Sequence, residues 1–123
     1  MKRILLADDN PDLCSALRLM IETRLGLEVL TEARDMGHVL AQVEDSRPDC
    51  ILLDWELPGR PNRERVTVLR TLVPGLRVIA ISARPESCAE AASEKVDAFI
   101  SKGESPDEIL RVIRQVCPVE ESQ

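Results

Sequence analysis

Short apolar runs alternate along the chain with longer segments in which apolar residues recur every three or four positions. The short runs have the length of buried parallel strands, and the longer segments have the periodicity of amphipathic helices. The pattern predicts strands at residues 3–7, 28–31, 50–54, 77–81 and 98–100. A helical segment follows each strand, so the sequence predicts an α/β fold built from five βα units on a parallel sheet.

Capping residues mark the start of several of these helices. Asn10 followed by Pro11 suits an N-cap and a first helical position, and Ser105-Pro106-Asp107-Glu108 predicts a capping box. The fourth helix, predicted at residues 85–94, is rich in Ala and Ser and has few large apolar residues. Because little apolar surface is buried there, we expect this segment to move most.

Composition and charge narrow the class of protein. The 123 residues are 44% hydrophobic and 31% charged, as in ordinary soluble domains. We expect one domain over residues 1–118 and a flexible tail at 119–123. The net charge of −6, without a block of Lys or Arg, argues against direct binding to nucleic acid or to an anionic membrane. No apolar run is long enough for a membrane span or a signal peptide, so a cytoplasmic location is expected.

Polar residues of a few kinds follow four of the apolar runs. Asp8-Asp9 follow the first strand, Asp54 ends the third, Ser82 follows the fourth, and Lys102 comes just after the fifth. In an open parallel sheet, the ligand crevice lies outside the carboxyl ends of the strands. The sequence therefore brings three carboxylates, one hydroxyl and one ammonium group to a single place.

This set of groups suits a divalent cation and a phosphoryl group. Three carboxylates within ~5 Å repel by about 3 kcal/mol per pair at an effective dielectric of 20, and a cation relieves that repulsion. Oxygen ligands favour Mg²⁺. Lys102 can hold both a carboxylate and a phosphoryl group, and Ser82 can donate a hydrogen bond to a phosphoryl oxygen. Asp54, ionised at neutral pH, can attack phosphorus without a general base.

Each residue taken alone has a simpler interpretation. Asp8-Asp9 could be acids at a helix start, Asp54 a solvated strand end, and Lys102 a surface lysine. Their shared position at one end of consecutive strands favours a functional site. Four scattered cysteines and the single histidine, His38, give no support to a zinc site or to Cys/His or Ser/His catalysis.

With these residues in place, the chain resembles the receiver (response-regulator) domain of two-component signalling over essentially all 123 residues. Asp8-Asp9 match the acidic pair of the family, and Asp54, within residues 53–59, matches the phosphoacceptor. Ser82-Ala83 match the hydroxyl and small residue after the fourth strand. Phe99 matches the switch aromatic, and Lys102 matches the invariant lysine.

The resemblance implies a doubly wound, flavodoxin-like (βα)5 sheet of strand order 2-1-3-4-5. It implies Mg²⁺ held by Asp9, Asp54 and the backbone carbonyl of Glu56, with Asp8 acting through water. The implied partner is a histidine kinase or phosphotransfer protein that donates the phosphoryl group to Asp54. The domain is then no enzyme acting on a separate substrate, but a phosphoacceptor that assists its own phosphorylation and dephosphorylation.

The resemblance also implies a switch. Ser82 moves toward the phosphate and Phe99 turns inward, which reshapes the surface of the fourth helix, fifth strand and fifth helix. Glu56 and Arg84 occupy the positions that line the path of the hydrolytic water, so we expect them to tune phosphate lifetime. We expect a monomer or a weak dimer that depends on phosphorylation.

Several departures from the family pattern bear on these expectations. Gly103 follows the lysine where the family usually has a proline after a cis peptide, so a trans bond is possible here. Lys95-Val96 replace a Gly-Ala turn, and left-handed backbone there would cost about 1 kcal/mol without glycine. Residues 102–110 resemble the same segment of receivers that precede a helix-turn-helix DNA-binding module. The chain is therefore either a stand-alone receiver or part of a longer regulator.

Two other functions stay open at this point. The fold could be a receiver-like interaction module that works without phosphorylation. It could also be a small Mg²⁺-dependent phosphohydrolase, although such enzymes with an aspartate nucleophile begin with Asp-x-Asp, and Asp8 and Asp9 are adjacent.

Overall fold

Five parallel strands form a single sheet in the order 2-1-3-4-5, which confirms the predicted topology. The computed structural model describes residues 2–30, 33–59 and 62–117. Each strand is followed by a helix that returns the chain to the amino end of the sheet. The strands are β1 (Arg3–Ala7), β2 (Glu28–Val29), β3 (Cys50–Asp54), β4 (Arg77–Ser82) and β5 (Ala98–Ser101).

Within the described residues, side-chain caps start three of the five helices, namely the first, second and fifth. Asn10 Oδ1 accepts hydrogen bonds from the amides of Asp12 and Leu13, and Asp35 Oδ1 accepts one from the amide of His38. The helices are α1 (Pro11–Met20), α2 (Met36–Ser46), α3 (Asn62–Leu72), α4 (Ser87–Ser93) and α5 (Pro106–Val116).

The strands bury alternate residues on the two faces of the sheet. Ile4 and Leu6 of β1 face α1 and α5, whereas Leu5 and Ala7 face the layer of α2, α3 and α4. All five residues of β3 are buried because the strand lies at the centre of the sheet. The sheet is thus covered on both faces, and only its ends are left for a polar site.

Several element boundaries differ from the prediction. β4 and β5 each extend one residue further, to Ser82 and Ser101. β2 is an edge strand that ends at Val29, and the remainder of its predicted range includes Thr31, which lies outside the described residues. α4 covers only seven residues, so the prediction of residues 85–94 was too long. The predicted tail at 119–123 also lies outside the described residues.

The sequence pattern missed a π-helical turn at Ile21–Leu25, which continues α1. Ile21 and Leu25 are both buried in this turn, and Gly26 ends it with a left-handed φ of 68°. A π-turn rotates the helical face by one residue, so both apolar side chains stay on the core.

The predicted capping box at α5 is half formed. Ser105 Oγ accepts a hydrogen bond from the amide of Glu108 over 3.2 Å. The Glu108 carboxylate, however, binds the Arg111 guanidinium through Nε and Nη2 instead of returning to Ser105. An i, i+3 ion pair along the helix has therefore replaced the second bond of the box.

Both backbone departures from the family pattern are visible. Lys95 has a left-handed φ of 65°, as expected for a turn that usually carries glycine. The peptide bond between Lys102 and Gly103 is trans. Within the part of the chain that the structure describes, no helix has the length and hydropathy needed to cross a membrane.

Candidate functional site

The carboxyl end of the sheet gathers the predicted acidic residues. Asp8 and Asp9 follow β1, and Asp54 is the last residue of the neighbouring strand β3. One carboxylate oxygen from each of the three lies within 4.8 Å of the others. Asp8 and Asp54 are buried, with 5% and 2% of their surface exposed, whereas Asp9 is exposed. The predicted acidic cluster is therefore present, and it opens to solvent on the side of Asp9.

The two buried carboxylates are oriented in the same way. Asp8 Oδ1 accepts a hydrogen bond from the amide of Asn10 over 2.9 Å, and Asp54 Oδ1 accepts one from the amide of Glu56 over 3.0 Å. In each case the donor is two residues further along the chain, which is an Asx-turn. These turns fix both side chains and leave each Oδ2 oxygen for another partner.

Lys102 is that partner. Its Nζ atom lies 2.9 Å from Asp8 Oδ2 and 3.4 Å from Asp54 Oδ2. The backbone places it there, because the amide of Lys102 donates to the carbonyl of Ser82 over 2.9 Å and so extends the pairing of β4 and β5. Asp8 Oδ2 is buried and receives no hydrogen bond of standard geometry from any described residue, despite the nearby ammonium group.

The pKa values of the site record a competition between burial and charge. Burial raises the pKa of Asp54, and the Asp8 charge acts in the same direction; the Glu56 amide and Lys102 act against this rise. Burial alone would lower the pKa of Lys102, but its contact with Asp8 and the charges of both carboxylates raise it. One ammonium group is thus shared between two buried carboxylates, and the cluster keeps a net negative charge.

Ser82 reaches the site but is bonded to Glu56. Its hydroxyl donates to Glu56 Oε2 over 2.6 Å and accepts a hydrogen bond from the amide of Arg84 over 2.9 Å. Ser82 is fully buried, and Glu56 is exposed. The hydroxyl is therefore held by a carboxylate that lies beside the acidic cluster.

The other two predicted residues, Arg84 and Phe99, have partners outside the acidic cluster. The Arg84 side chain forms an exposed ion pair with Glu86, with Nε and Oε1 3.2 Å apart. Phe99 is half-buried in β5, where it packs on the sheet face that also carries Trp55 and Ala91. The structure therefore brings Arg84 to the rim of the site and leaves Phe99 on the neighbouring strand.

Sequence reasoning missed Arg65, a buried residue of α3 that is 5% exposed. Its guanidinium donates to the carbonyl oxygens of Asp54, Trp55 and Leu57, with Nη1 3.1 Å from that of Trp55. Burial lowers the pKa of Arg65, and the charges of Asp54 and Glu56 oppose this effect. Arg65 thus fixes the loop after β3, and its only sequence signal was its position next to the inward-facing residue Val66.

A second missed feature links this loop to α4. The indole Nε1 of Trp55 donates to Glu90 Oε1 over 2.6 Å, and Ser87 Oγ lies 3.4 Å from Glu56 Oε2. Both contacts join one of the two residues after Asp54 to a residue of α4. The segment after the central carboxylate is therefore bonded to the helix that packs beside β5.

Comparison with known proteins assigns this arrangement to a family. Residues 4–114 match the family model described as the response regulator receiver domain. The chain belongs to this family. A receiver domain is the phosphoacceptor domain of two-component response regulators.

Individual relatives agree with the assignment. The chain is 29% identical to the nitrate/nitrite response regulator protein NarL of Escherichia coli (strain K12) over 116 residues, which is 93% of the chain and 54% of NarL. It superposes on a CheY-like response regulator receiver domain protein from Methanospirillum hungatei JF-1 with a TM-score of 0.81 and 28% identity, covering 94% of this chain and 92% of that one.

A third relative shows the fold at lower identity. It is a response regulator protein from Burkholderia pseudomallei, with a TM-score of 0.76 and 21% identity over 89% of this chain and 65% of that one. That protein was crystallised with a phosphorylated aspartic acid, a calcium ion and citrate. The receiver domain described here spans about half the length of the curated relatives it matches, such as NarL at 54%.

Proposed function

We propose that Asp54 accepts a phosphoryl group from a sensor histidine kinase or a phosphotransfer protein, and that this change switches the surface of α4, β5 and α5. The observation that carries the proposal is the pair of buried Oδ2 oxygens, on Asp8 and Asp54, that share Lys102 at 2.9 and 3.4 Å. A buried carboxylate fixed by an Asx-turn and facing a cation is prepared to attack an electrophile.

The same carboxylates suit Mg²⁺. Asp8, Asp9 and Asp54 offer three oxygens within 4.8 Å, and Asp8 Oδ2 is a buried acceptor without a hydrogen bond of standard geometry. Oxygen-only donors with an open side toward Asp9 fit a hard cation that keeps several waters. We assign the ion to these three residues and to the backbone carbonyl of Glu56. When bound, Mg²⁺ supplies positive charge beside the phosphoryl oxygens.

Asp54 and Lys102 have separate roles in the transfer of the phosphoryl group. A carboxylate oxygen of Asp54 forms the new bond to phosphorus as the bond from phosphorus to the donor's imidazole nitrogen breaks, and the electron pair leaves with the imidazole. Lys102 stabilises the negative charge on the transferred group. No proton has to be removed from Asp54, because its carboxylate is the nucleophile.

The switch follows from the change in charge. A carboxylate of charge −1 becomes an acyl phosphate of charge about −2. We propose that the phosphoryl oxygens then compete with Glu56 for the Ser82 hydroxyl, and that Phe99 turns inward as β4 adjusts. The half-buried position of Phe99 beside Trp55 and Ala91 supports this, since space on that face is shared with α4.

The domain acts on its own phosphoryl group and on no separate substrate. Glu56 and Arg84 lie at the rim, and we propose that they tune phosphate lifetime through the access and orientation of water. Dephosphorylation rates of Glu56→Ala and Arg84→Ala, compared with the parent, test this assignment. A changed rate in either variant supports it, and unchanged rates in both would refute it.

The partners and setting are proposed from the relatives. A kinase or phosphotransfer protein is the donor, and the output is a DNA-binding domain in a longer chain or a separate target protein. The receiver domain, assigned to residues 1–118 with a tail at 119–123, makes no direct contact with nucleic acid or membrane in this proposal. We expect it to act in the cytoplasm as a monomer or a weak, phosphorylation-dependent dimer.

Phosphorylation by acetyl phosphate, followed by intact mass, is the direct test. Parent protein in Mg²⁺ should gain one phosphoryl group, and chelation of the metal should prevent the gain. Asp54→Asn should abolish it, whereas Asp12→Asn, at an exposed aspartate of α1, should leave it intact. No adduct in the folded parent with its cognate donor would favour the alternative, an interaction module that works without phosphorylation.

A further inference from the structure

Two cysteines meet at the end of the sheet opposite to the aspartates. Cys50 is the first residue of β3 and pairs in register with Arg77 of β4. Arg77 Nη1 donates to the carbonyl of Val116 over 3.0 Å, which attaches the end of α5 to the start of β4. Cys117, the next residue, belongs to the same buried core cluster as Cys50, and each thiol shifts the pKa of the other. Both are free thiols.

The two thiols have different surroundings. Cys117 lines a cavity of about 280 Å³ whose wall also carries the cationic residues Lys2, Arg47 and Arg77. Cys50 begins the central strand of the sheet and is fully buried. A small oxidant that enters the cavity therefore meets Cys117 first.

The surroundings also shift the pKa values of the two thiols in opposite directions. The interaction with Cys50 lowers the pKa of Cys117, and the charges of Lys2 and Arg77 lower it further, while burial and Asp49 act against this effect. The same interaction, together with burial, raises the pKa of Cys50. Cys117 is thus the better nucleophile, and Cys50 is the thiol placed to react second.

We propose that Cys50 and Cys117 form a reversible disulfide in response to hydrogen peroxide, and that this bond ties the start of β3 to the end of α5. None of the proposed phosphorylation residues takes part, because the pair lies at the other end of the strands. The free thiols of the structure are the reduced state of this pair.

The reaction balances with one molecule of peroxide. The Cys117 sulfur attacks one peroxide oxygen, the O–O bond breaks, and the released hydroxide takes up the thiol proton as water, which leaves a sulfenic acid. The Cys50 sulfur then attacks Cys117 Sγ, the S–S bond forms as the S–O bond breaks, and the leaving hydroxide takes the Cys50 proton as a second water. Two sulfurs lose one electron each, and peroxide is reduced to two waters.

The bond would act on one end of the proposed output surface. α5 belongs to the surface that we propose to change on phosphorylation, and its last turn is held by the Arg77 bond to Val116. A covalent link at Cys117 would hold that turn against the sheet. Oxidation would then bias the same helix from the opposite end of the domain.

The test is peroxide treatment of the folded 123-residue chain, followed by intact mass and peptide mapping without reductant. The expected result is a loss of two hydrogens per chain, a peptide that links Cys50 to Cys117, and full reversal by dithiothreitol. The experiment is repeated in a Cys88→Ser background, because Cys88 is exposed and can link two molecules.

Variants separate the two roles. Cys50→Ser should abolish the link and leave a sulfenic acid on Cys117 that dimedone captures, whereas Cys117→Ser should abolish both products. Cys14 is the matched control, since its thiol is also buried and donates to the carbonyl of Asp8 over 3.6 Å. Oxidation confined to Cys88, or labelling of Cys14 as readily as Cys117, would overturn the proposal. The peptide map of the parent decides the matter even if a serine variant fails to fold.

Discussion

The Ser82 hydroxyl donates to Glu56 Oε2 over 2.6 Å, so the predicted switch residue is bonded to a carboxylate two positions beyond Asp54. A hydrogen bond to a charged group contributes about 1.5–3 kcal/mol. Ser82 has to give up this bond before it can donate to a phosphoryl group on Asp54. Glu56 therefore holds the unphosphorylated arrangement as well as lying at the rim of the site.

Glu56→Ala should strengthen binding of beryllofluoride, an acyl-phosphate mimic, in the presence of Mg²⁺. Loss of the competing acceptor and its negative charge should raise the affinity by about fivefold, equivalent to ~1 kcal/mol. The fluorescence of Trp55, the single tryptophan, follows the titration. The substitution keeps the backbone carbonyl that we assign to the metal.

Glu86→Ala is the control for this measurement, because Glu86 is also acidic but is bonded to Arg84 in an exposed pair. Its affinity should equal that of the parent. If Glu56→Ala binds beryllofluoride no better than the parent, the Ser82–Glu56 bond does not oppose the switch.

Asp54→Asn should stabilise the metal-free protein by about 1–2 kcal/mol near pH 7, because it removes one charge from a buried like-charge cluster. The pKa of Asp54 is raised by burial, so the folded state binds its proton more tightly than the unfolded state. Stability from this group is therefore present at low pH and is lost as the pH rises above the usual value of 3.8. The gain from asparagine should accordingly disappear toward acid pH.

Urea unfolding with a chelator at several pH values measures this gain. Added Mg²⁺ should reverse the order, since the ion stabilises the parent more than the variant that lacks one of its ligands. A metal-free Asp54→Asn protein that is less stable than the parent near pH 7 would contradict the pKa direction.

The sequence was informative about the sheet and the acidic cluster for a simple reason. Buried strands must be apolar, and polar residues at their ends lie outside the buried layer. Asp8, Asp54 and Lys102 all stand at the carboxyl ends of parallel strands, so they had to converge at one end of the sheet. Edge strand β2 was harder to delimit, because only one side of it is paired and its sequence mixes apolar with polar residues.

Arg65 and the Ser82–Glu56 bond could not be predicted in the same way. A buried arginine depends on which carbonyl oxygens a loop leaves unpaired, and the hydrophobic pattern contains no record of them. The direction in which the Ser82 hydroxyl donates depends on which acceptors the fold brings near it, and Glu56 comes from the loop after a different strand. The half-formed capping box has a similar origin, because the Glu108 carboxylate can bind either the amide of Ser105 or the guanidinium of Arg111.

Arg65→Met should destabilise the protein by about 2–4 kcal/mol, because three buried carbonyl groups lose the guanidinium as a donor, and only that of Asp54 is known to keep another, the amide of Leu57. Arg65→Lys should recover little of this loss, since an ammonium group cannot reproduce the planar fork that reaches several carbonyls at once. Urea unfolding at constant Mg²⁺ provides the comparison.

Arg111→Met is the matched control for Arg65, because Arg111 lies on an exposed face of α5 and is paired with Glu108. Its effect on the free energy of unfolding should be small compared with that of Arg65→Met, because exposed ion pairs contribute little. Equal destabilisation by Arg65→Met and Arg111→Met would show that the loop after β3 does not depend on the buried guanidinium.

Lys95→Gly should stabilise the protein by about 0.5–1 kcal/mol. Lys95 has a φ of 65°, a conformation that places its Cβ near the following carbonyl oxygen and that glycine adopts without this cost. The carbonyl of Lys95 accepts a hydrogen bond from Arg70 over 2.7 Å, and this backbone contact survives the substitution. Ala92→Gly, inside α4, should destabilise the protein by a similar amount, because glycine in a helix increases the backbone entropy that the chain loses on folding. Thermal and urea unfolding of both variants check the sign, and a Lys95→Gly protein that is less stable than the parent would mean that the lysine side chain itself stabilises the turn.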